Sequence, residues 1–335
     1  MKLVSYKAGE ITKIGVVVNE MVYDMQKVYC EYLRSIGDTL AEKIAEVRIP
    51  NNMVKFIEGG DKAQAAAKDA FNFIIRKGAA AEQELWGLPL DKIKLEAPLI
   101  PKITICGGAN FFDHLDETHR SKPNEVEFFL KSPHTVVGPG VTVEHEPRVT
   151  HKYDYEVELG IIIKKPAKNV SVEDAFDYIF GYTIFNDISA RSRQVIPWGE
   201  NNFQLKFGEG KNYDTGAPVG PWIITADEMP DVFSLSLRTW ISGELRQNNN
   251  TKNIIWNVPN LVSYYSQFMT LQPGLLIASG TPGGPALGSD VELGADPYER
   301  KDGVKRGGYM KPGDEMVLEI EGIGQLINPI NRVNK

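Results

Sequence analysis

The chain has 335 residues, 42% of them hydrophobic and 24% charged, with a formal net charge of -7 and a pI near 5.4. That length can bury a substantial core in one large domain or two, and the acidic balance argues against nucleic acid as a partner. No apolar run reaches bilayer length, Met1–Lys7 lacks a signal-peptide core, and Cys30 and Cys106 form no spacing pattern, so a cytoplasmic protein with reduced thiols and no membrane contact is expected.

Residues 1–98 read as a small α+β domain. Lys2–Tyr6 and Lys13–Asn19 are β-prone, and Met21–Met25 returns as a hairpin after Asn19-Glu20. Helical patterns follow over 26–46, 51–58 and 61–77, the last stopped by Gly78. None of these segments carries a cluster of reactive groups. Glu96-Ala97-Pro98-Leu99-Ile100-Pro101 is an extended linker, because each proline disfavours the helical region for the residue before it. The remaining 99–335 is rich in short strands with frequent Gly and Pro, so the expected fold class is α+β with a β-rich second domain. One helix is predicted there. Ser171 and Asp174 have capping-box spacing, Val172, Ala175, Phe176, Ile179 and Phe180 form a stripe, and Gly181 ends it. Residues 155–187 then form a strand–helix–strand unit.

All five histidines lie between His114 and His151. His114 stands three residues before Glu117, a spacing that in a helical turn lets the carboxylate orient the imidazole as a general base. A surface His beside a surface Glu is the alternative, and His119, His134, His145 and His151 have no comparable partner. Further on, Asp154-Tyr155-Glu156-Val157-Glu158-Leu159-Gly160 puts Glu156 and Glu158 on one strand face. A solvated edge would explain such a pair, but the apolar Gly160-Ile161-Ile162-Ile163 that follows suits a strand covered on both sides. Tyr182-Thr183-Ile184-Phe185-Asn186-Asp187 is a second strand ending on a carboxylate. Laid side by side, the two strands would bring three acids together, and hard oxygen donors of this kind favour Mg²⁺ or Mn²⁺ over zinc. Lys211 sits in Gly208-Glu209-Gly210-Lys211-Asn212, a glycine-containing loop that is not a phosphate-binding motif. Gly280-Thr281-Pro282-Gly283-Gly284 is a tight turn whose N–H groups could cradle a carboxylate. No Gly-x-Ser-x-Gly elbow and no His-Glu-x-x-His is present.

In order along the chain, these segments resemble the fumarylacetoacetate hydrolase family from about Ile103 to Pro329. The resemblance is carried by Asn110-Phe111-Phe112-Asp113-His114-Leu115-Asp116-Glu117, Phe129-Leu130-Lys131-Ser132-Pro133 and the Asp154–Gly160 strand. It continues through Gly181–Arg191, Gly210-Lys211, the Gly280–Gly284 turn, Lys311-Pro312-Gly313-Asp314 and Glu321-Gly322-Ile323-Gly324. It implies a mixed-sheet β-roll, a homodimer, and Glu156, Glu158 and Asp187 as metal ligands. It also implies His114 and Glu117 as the catalytic pair, Lys211 as a stabiliser of developing negative charge, and Arg191, Gln194 and Thr281 as substrate contacts. Ser192 departs from the usual acidic residue, which removes a local salt bridge. The stretch Val195–Glu209 is slightly long, and Ser289–Gly307 reads as a charged insertion.

The chemistry expected first is hydrolysis of a C–C bond in an acylpyruvate, a small-molecule 2-oxo acid chelated through its carboxylate and keto oxygens, by His114-activated water. Decarboxylation, isomerisation or hydration of a 2-oxo (di)acid at the same site is the alternative, and a non-catalytic metal-binding scaffold the remote one.

Overall fold

The computed structural model describes residues 1–198, 202–229, 231–293 and 307–332. The N-terminal strands form as the alternation predicts: Lys2–Ala8 pairs antiparallel with Ile11–Val18, which pairs with Met21–Asp24. The second of these turns is Asn19-Glu20, both at positive φ (49° and 63°), the backbone twist a two-residue hairpin needs. The expected helix over 26–46 is two helices, Met25–Ser35 and Ala41–Arg48. The break falls at Gly37, whose φ of 85° is readily available only to glycine. Met53–Glu58 and Gly60–Lys77 follow, with Asp24 and Asn52 side chains capping the first and third helices.

Across the boundary expected near residue 98 the sheet is continuous. Lys2–Ala8 also pairs with Ala217–Thr225, which leads in turn to Ile179–Asn186, Val157–Ile163, Leu276–Ala278, Thr104–Gly108 and Glu127–Lys131. This is a 12-stranded mixed sheet, parallel where Leu276–Ala278 meets Thr104–Gly108. One face of it packs on the N-terminal helices: Ile162, Phe180, Phe185 and Ile223 share a core with Phe56, Ile57 and Ile74. The opposite face presents Leu159, Ile161, Tyr182 and Ile184 to a five-stranded sheet through Leu237, Met316, Leu318 and Ile320. Val157–Ile163 is therefore buried at every position, which explains its uninterrupted apolar run. The architecture is α+β with large mixed sheets, as expected. No helix among the described residues is long and apolar enough to cross a membrane.

The helix predicted from Ser171 does not form. Ser171 Oγ does accept from the Asp174 N–H at 3.1 Å, but only a short 3-10 turn, Ala175–Tyr178, follows. Ile179 and Phe180 open the long strand Ile179–Asn186, while Val172 and Phe176 remain exposed. Their apolar spacing fits either period. Seven register partners on Val157–Ile163 favour the strand.

Candidate active site

The antiparallel register sets Val157 opposite Asn186, so the chain just before one strand faces the chain just after the other. Asp187 N–H donates to Glu156 O at 3.0 Å, and Glu156 N–H donates to Asn186 Oδ1 at 3.1 Å. These bonds fix Glu156, Glu158 and Asp187 so that one carboxylate oxygen from each lies within 4.8 Å of the others. All three are buried, at 4%, 1% and 1% exposure. The strand pairing expected from the sequence thus does bring the three acids together.

Three buried cations surround them. Arg191 donates from Nε to Asp154 Oδ2 (2.8 Å), from Nη1 to Gln194 Oε1 (2.6 Å) and from Nη2 to Glu156 Oε1 (2.5 Å). Lys211 Nζ bridges Glu156 Oε2 (2.5 Å) and Asp187 Oδ2 (2.7 Å), and Lys131 Nζ holds Asp187 Oδ1 (2.5 Å). Glu158 is different: the donor it has among the described residues is the Gly280 N–H at 2.8 Å, with no ammonium or guanidinium. The ionisation follows from this. Burial works against the Glu156 charge, but Arg191 and Lys211 outweigh it and hold the carboxyl well below its ordinary range. For Glu158, burial first and then the neighbouring Asp187 and Glu156 charges push the carboxyl well above that range. Burial also opposes the charge on Lys211, and Asp187 and Glu156 override it, so the ammonium is firmly held.

Apart from Asp24, every buried Asp, Glu, Lys or Arg among the described residues belongs to this cluster. Asp154, Glu156, Glu158, Asp187 and Glu117 face Lys131, Arg191 and Lys211, five acids against three cations. One divalent cation would cancel the difference. The residues present therefore fit a hard divalent ion, and Glu158, the carboxylate without a cationic partner, is where that ion is most needed.

His114 lies on the one-and-a-half-turn helix Phe112–Glu117, and its Nδ1 is 2.7 Å from Glu117 Oε1. Glu117 is itself fixed by the Gly284 N–H at 3.0 Å. The pairing leaves His114 Nε2 as the nitrogen for proton transfer. His114, Glu156, Glu158, Asp187, Arg191, Gln194, Lys211 and Thr281 all line one cavity of about 330 Å³, and Glu117 stands behind His114. Thr281 Oγ1 accepts from Gln247 Nε2 at 2.8 Å. Its hydroxyl proton has no acceptor among the described residues.

Several expectations are corrected by this geometry. Lys211 is not on an open loop but at the end of a short helix, Phe207–Lys211, and is buried. Gly210 permits that burial, because a Cβ there would run into the Gln194 backbone. The Gly280–Gly284 turn does cradle carboxylates, but they are the protein's own: Gly280 serves Glu158 and Gly284 serves Glu117. Ser192, already a departure from the residue usual in the family resembled, shares a 2.6 Å hydrogen bond between its Oγ and Thr150 Oγ1. Most of the Ser289–Gly307 insertion, 294–306, lies outside the described residues. Sequence reasoning missed Lys131, Asp154 and Gln247. A lone lysine ending the β-prone run Glu127–Lys131 was the one local signal for any of them.

The chain matches known proteins along nearly all its length. Residues 103–331 match the fumarylacetoacetate (FAA) hydrolase C-terminal family. Oxaloacetate tautomerase YisK of Bacillus subtilis is 32% identical over 324 residues, 95% of each chain. The solved fumarylacetoacetate hydrolase of psychrophilic Exiguobacterium antarcticum superposes with a TM-score of 0.72 at 28% identity, covering 99% of this chain and all of that one. Maleylpyruvate hydrolase of Sphingobium sp. SYK-6, solved with manganese(II) and pyruvate, gives a TM-score of 0.65 at 26% identity over 99% of each chain. With the motif order, the mixed sheets and the buried acid cluster, these matches establish that the chain belongs to the fumarylacetoacetate hydrolase family, a family of enzymes.

Proposed function

We propose that this protein is a divalent-metal-dependent enzyme that moves a proton to or from the carbon beside the keto group of a 2-oxo acid, interconverting keto and enol forms. The observation that carries the reading is the placement of Glu156, Glu158 and Asp187 in the same cavity as His114, with an anionic excess of two around it. A divalent ion bound there would supply Lewis acidity to the keto oxygen and a seat for the adjoining carboxylate. Thr281 donates its hydroxyl proton, which has no acceptor among the described residues, to that carboxylate, with Gln247 fixing its orientation. His114 Nε2 takes the proton from C3 or returns it, and Glu117 steadies the imidazolium through Nδ1. Arg191 and Lys211 keep Glu156 ionised in a site from which bulk water is largely excluded. The 95% two-way coverage with an oxaloacetate tautomerase supports this reaction for the whole chain.

The C–C hydrolysis expected from the sequence is the second reading, favoured by the poised His114–Glu117 pair and the likeness to a maleylpyruvate hydrolase. It needs the same site plus one water, from which His114 Nε2 would take a proton. Pure protein with Mg²⁺ or Mn²⁺ should be given oxaloacetate, with decay of the enol absorbance followed, and acylpyruvates, with released pyruvate measured. Accelerated enol decay that chelator abolishes is expected. The variant His114→Ala should lose turnover while still binding Mn²⁺. No metal-dependent effect on either substrate class would overturn both readings.

A further inference from the structure

The cavity has two unlike ends. Its floor is the charged cluster, and its wall is apolar: Phe129, Val195, Phe203, Leu205, Phe207 and Leu287. Wall and floor are joined directly. Lys211 Nζ lies 5.2 Å from the centroid of the Phe129 ring, and Phe207 stacks on Phe129 with centroids 4.6 Å apart and planes 5° from parallel. The hairpin Val195–Pro197/Phe203–Leu205 extends the same surface, with Phe203 and Leu205 left 40% and 44% exposed.

The cations that line this cavity among the described residues are already committed. Lys211 and Arg191 serve the buried acids, and Arg120 Nη2 is clasped by both oxygens of Glu127 at 2.7 and 2.8 Å. Among the described residues, a second carboxylate on the substrate would therefore meet Phe and Leu side chains and a neutralised Arg120. An alkyl or aryl group would meet a surface suited to it.

Building on the 2-oxo acid reading above, we propose that the preferred substrate is a 2-oxo acid whose chain continues past the reacting carbons as an apolar group. That group rests on the wall from Phe129 to Leu287. Phe203 and Leu205 determine specificity: they touch the tail and not the reacting atoms.

The test is a series of dissociation constants for the manganese-loaded protein, measured by calorimetry with pyruvate, 2-oxobutyrate, 2-oxopentanoate, 2-oxohexanoate and oxaloacetate. Each added methylene should tighten binding about two- to fourfold, the range for partial to full burial of one CH₂. Oxaloacetate should bind more weakly than 2-oxohexanoate. Phe203→Ser and Leu205→Ser, both at exposed positions, should weaken binding by a factor that grows with tail length. A flat series, tighter binding of oxaloacetate, or an equal loss for every ligand in both variants would overturn the apolar-tail assignment while leaving the 2-oxo acid reading intact. Absence of binding by every member would overturn both.

Discussion

Glu158 offers the sharpest test of the charge argument, through Glu158→Gln. The three acids present oxygens within 4.8 Å of one another. At that separation and an effective dielectric constant of 20, each like-charged pair costs on the order of 3 kcal/mol. Lys211, Lys131 and Arg191 offset the charges of Glu156 and Asp187, whereas among the described residues Glu158 has only the Gly280 N–H as a hydrogen-bond donor. The amide variant removes one acid from the cluster and keeps an oxygen to accept from Gly280. In chelator at pH 8 it should be more stable than the unmodified protein by about 2 kcal/mol, a rise in Tm of a few degrees. The sign with pH follows from the raised carboxyl of Glu158. Between the ordinary carboxylate value and the raised one, the native state holds a proton that the unfolded chain has lost, so metal-free stability falls as pH rises through that window. The advantage of the variant should accordingly be small near pH 4.5 and widen above it. Adding Mn²⁺ should reverse the order: the unmodified protein gains Tm with metal concentration, and the variant gains much less. Calorimetric melts across pH, with chelator and with Mn²⁺, provide the measurement. A variant that is less stable than the parent in chelator, and that gains equally from Mn²⁺, would show that Glu158 is not an uncompensated charge awaiting a cation.

Lys211→Met strips a donor from both Glu156 and Asp187 inside the protein. It should destabilise the metal-free fold by about 3–5 kcal/mol in denaturant titration, the usual cost of leaving buried charges without their partner. Saturating Mn²⁺ should recover part of that loss. Gln247 uses its side-chain oxygen to accept from the Val157 N–H and Thr239 Oγ1, and its amide nitrogen to donate to Thr281 Oγ1 and Pro282 O. Gln247→Leu orphans those groups and should cost about 2–4 kcal/mol. It should also raise KM more than it lowers kcat, since Thr281 loses its orientation while His114 does not; an unchanged KM would show that Thr281 does not bind substrate.

What could be read from the sequence was local. The period-2 placement of Glu156 and Glu158, the carboxylate at the end of the next β-prone run, and the three-residue spacing of His114 and Glu117 each need only a strand or a helical turn to be interpreted. The structure preserves all three relations. The failed helix after Ser171 marks the limit of such reasoning. Its capping hydrogen bond is present, but Ile179 and Phe180 belong to a strand because partners across the sheet outweigh a local pattern compatible with either state. The sheet that joins Lys2–Ala8 to Ala217–Thr225 was hidden for the same reason. Backbone pairing between segments more than 200 residues apart leaves no periodic trace in either one.

The counter-charges were less legible still, and they determine the chemistry. Lys131 meets Asp187 across 56 residues of chain, and Arg191 meets Asp154 across 37. In sequence, each is an ordinary charged residue that could equally face solvent. Only the fold shows that Asp187 has two lysines, that Glu156 has an arginine and a lysine, and that Glu158 has neither. An acid trio with full cationic compensation would be a structural salt-bridge network with no need of a metal. The same trio, with three cations for five buried acids and none of them bonded to Glu158, is unfavourable as it stands unless a proton or an ion makes up the difference. The site's need for a metal thus arises less from the presence of three acids than from the incomplete compensation around Glu158. A motif alone could not reveal that.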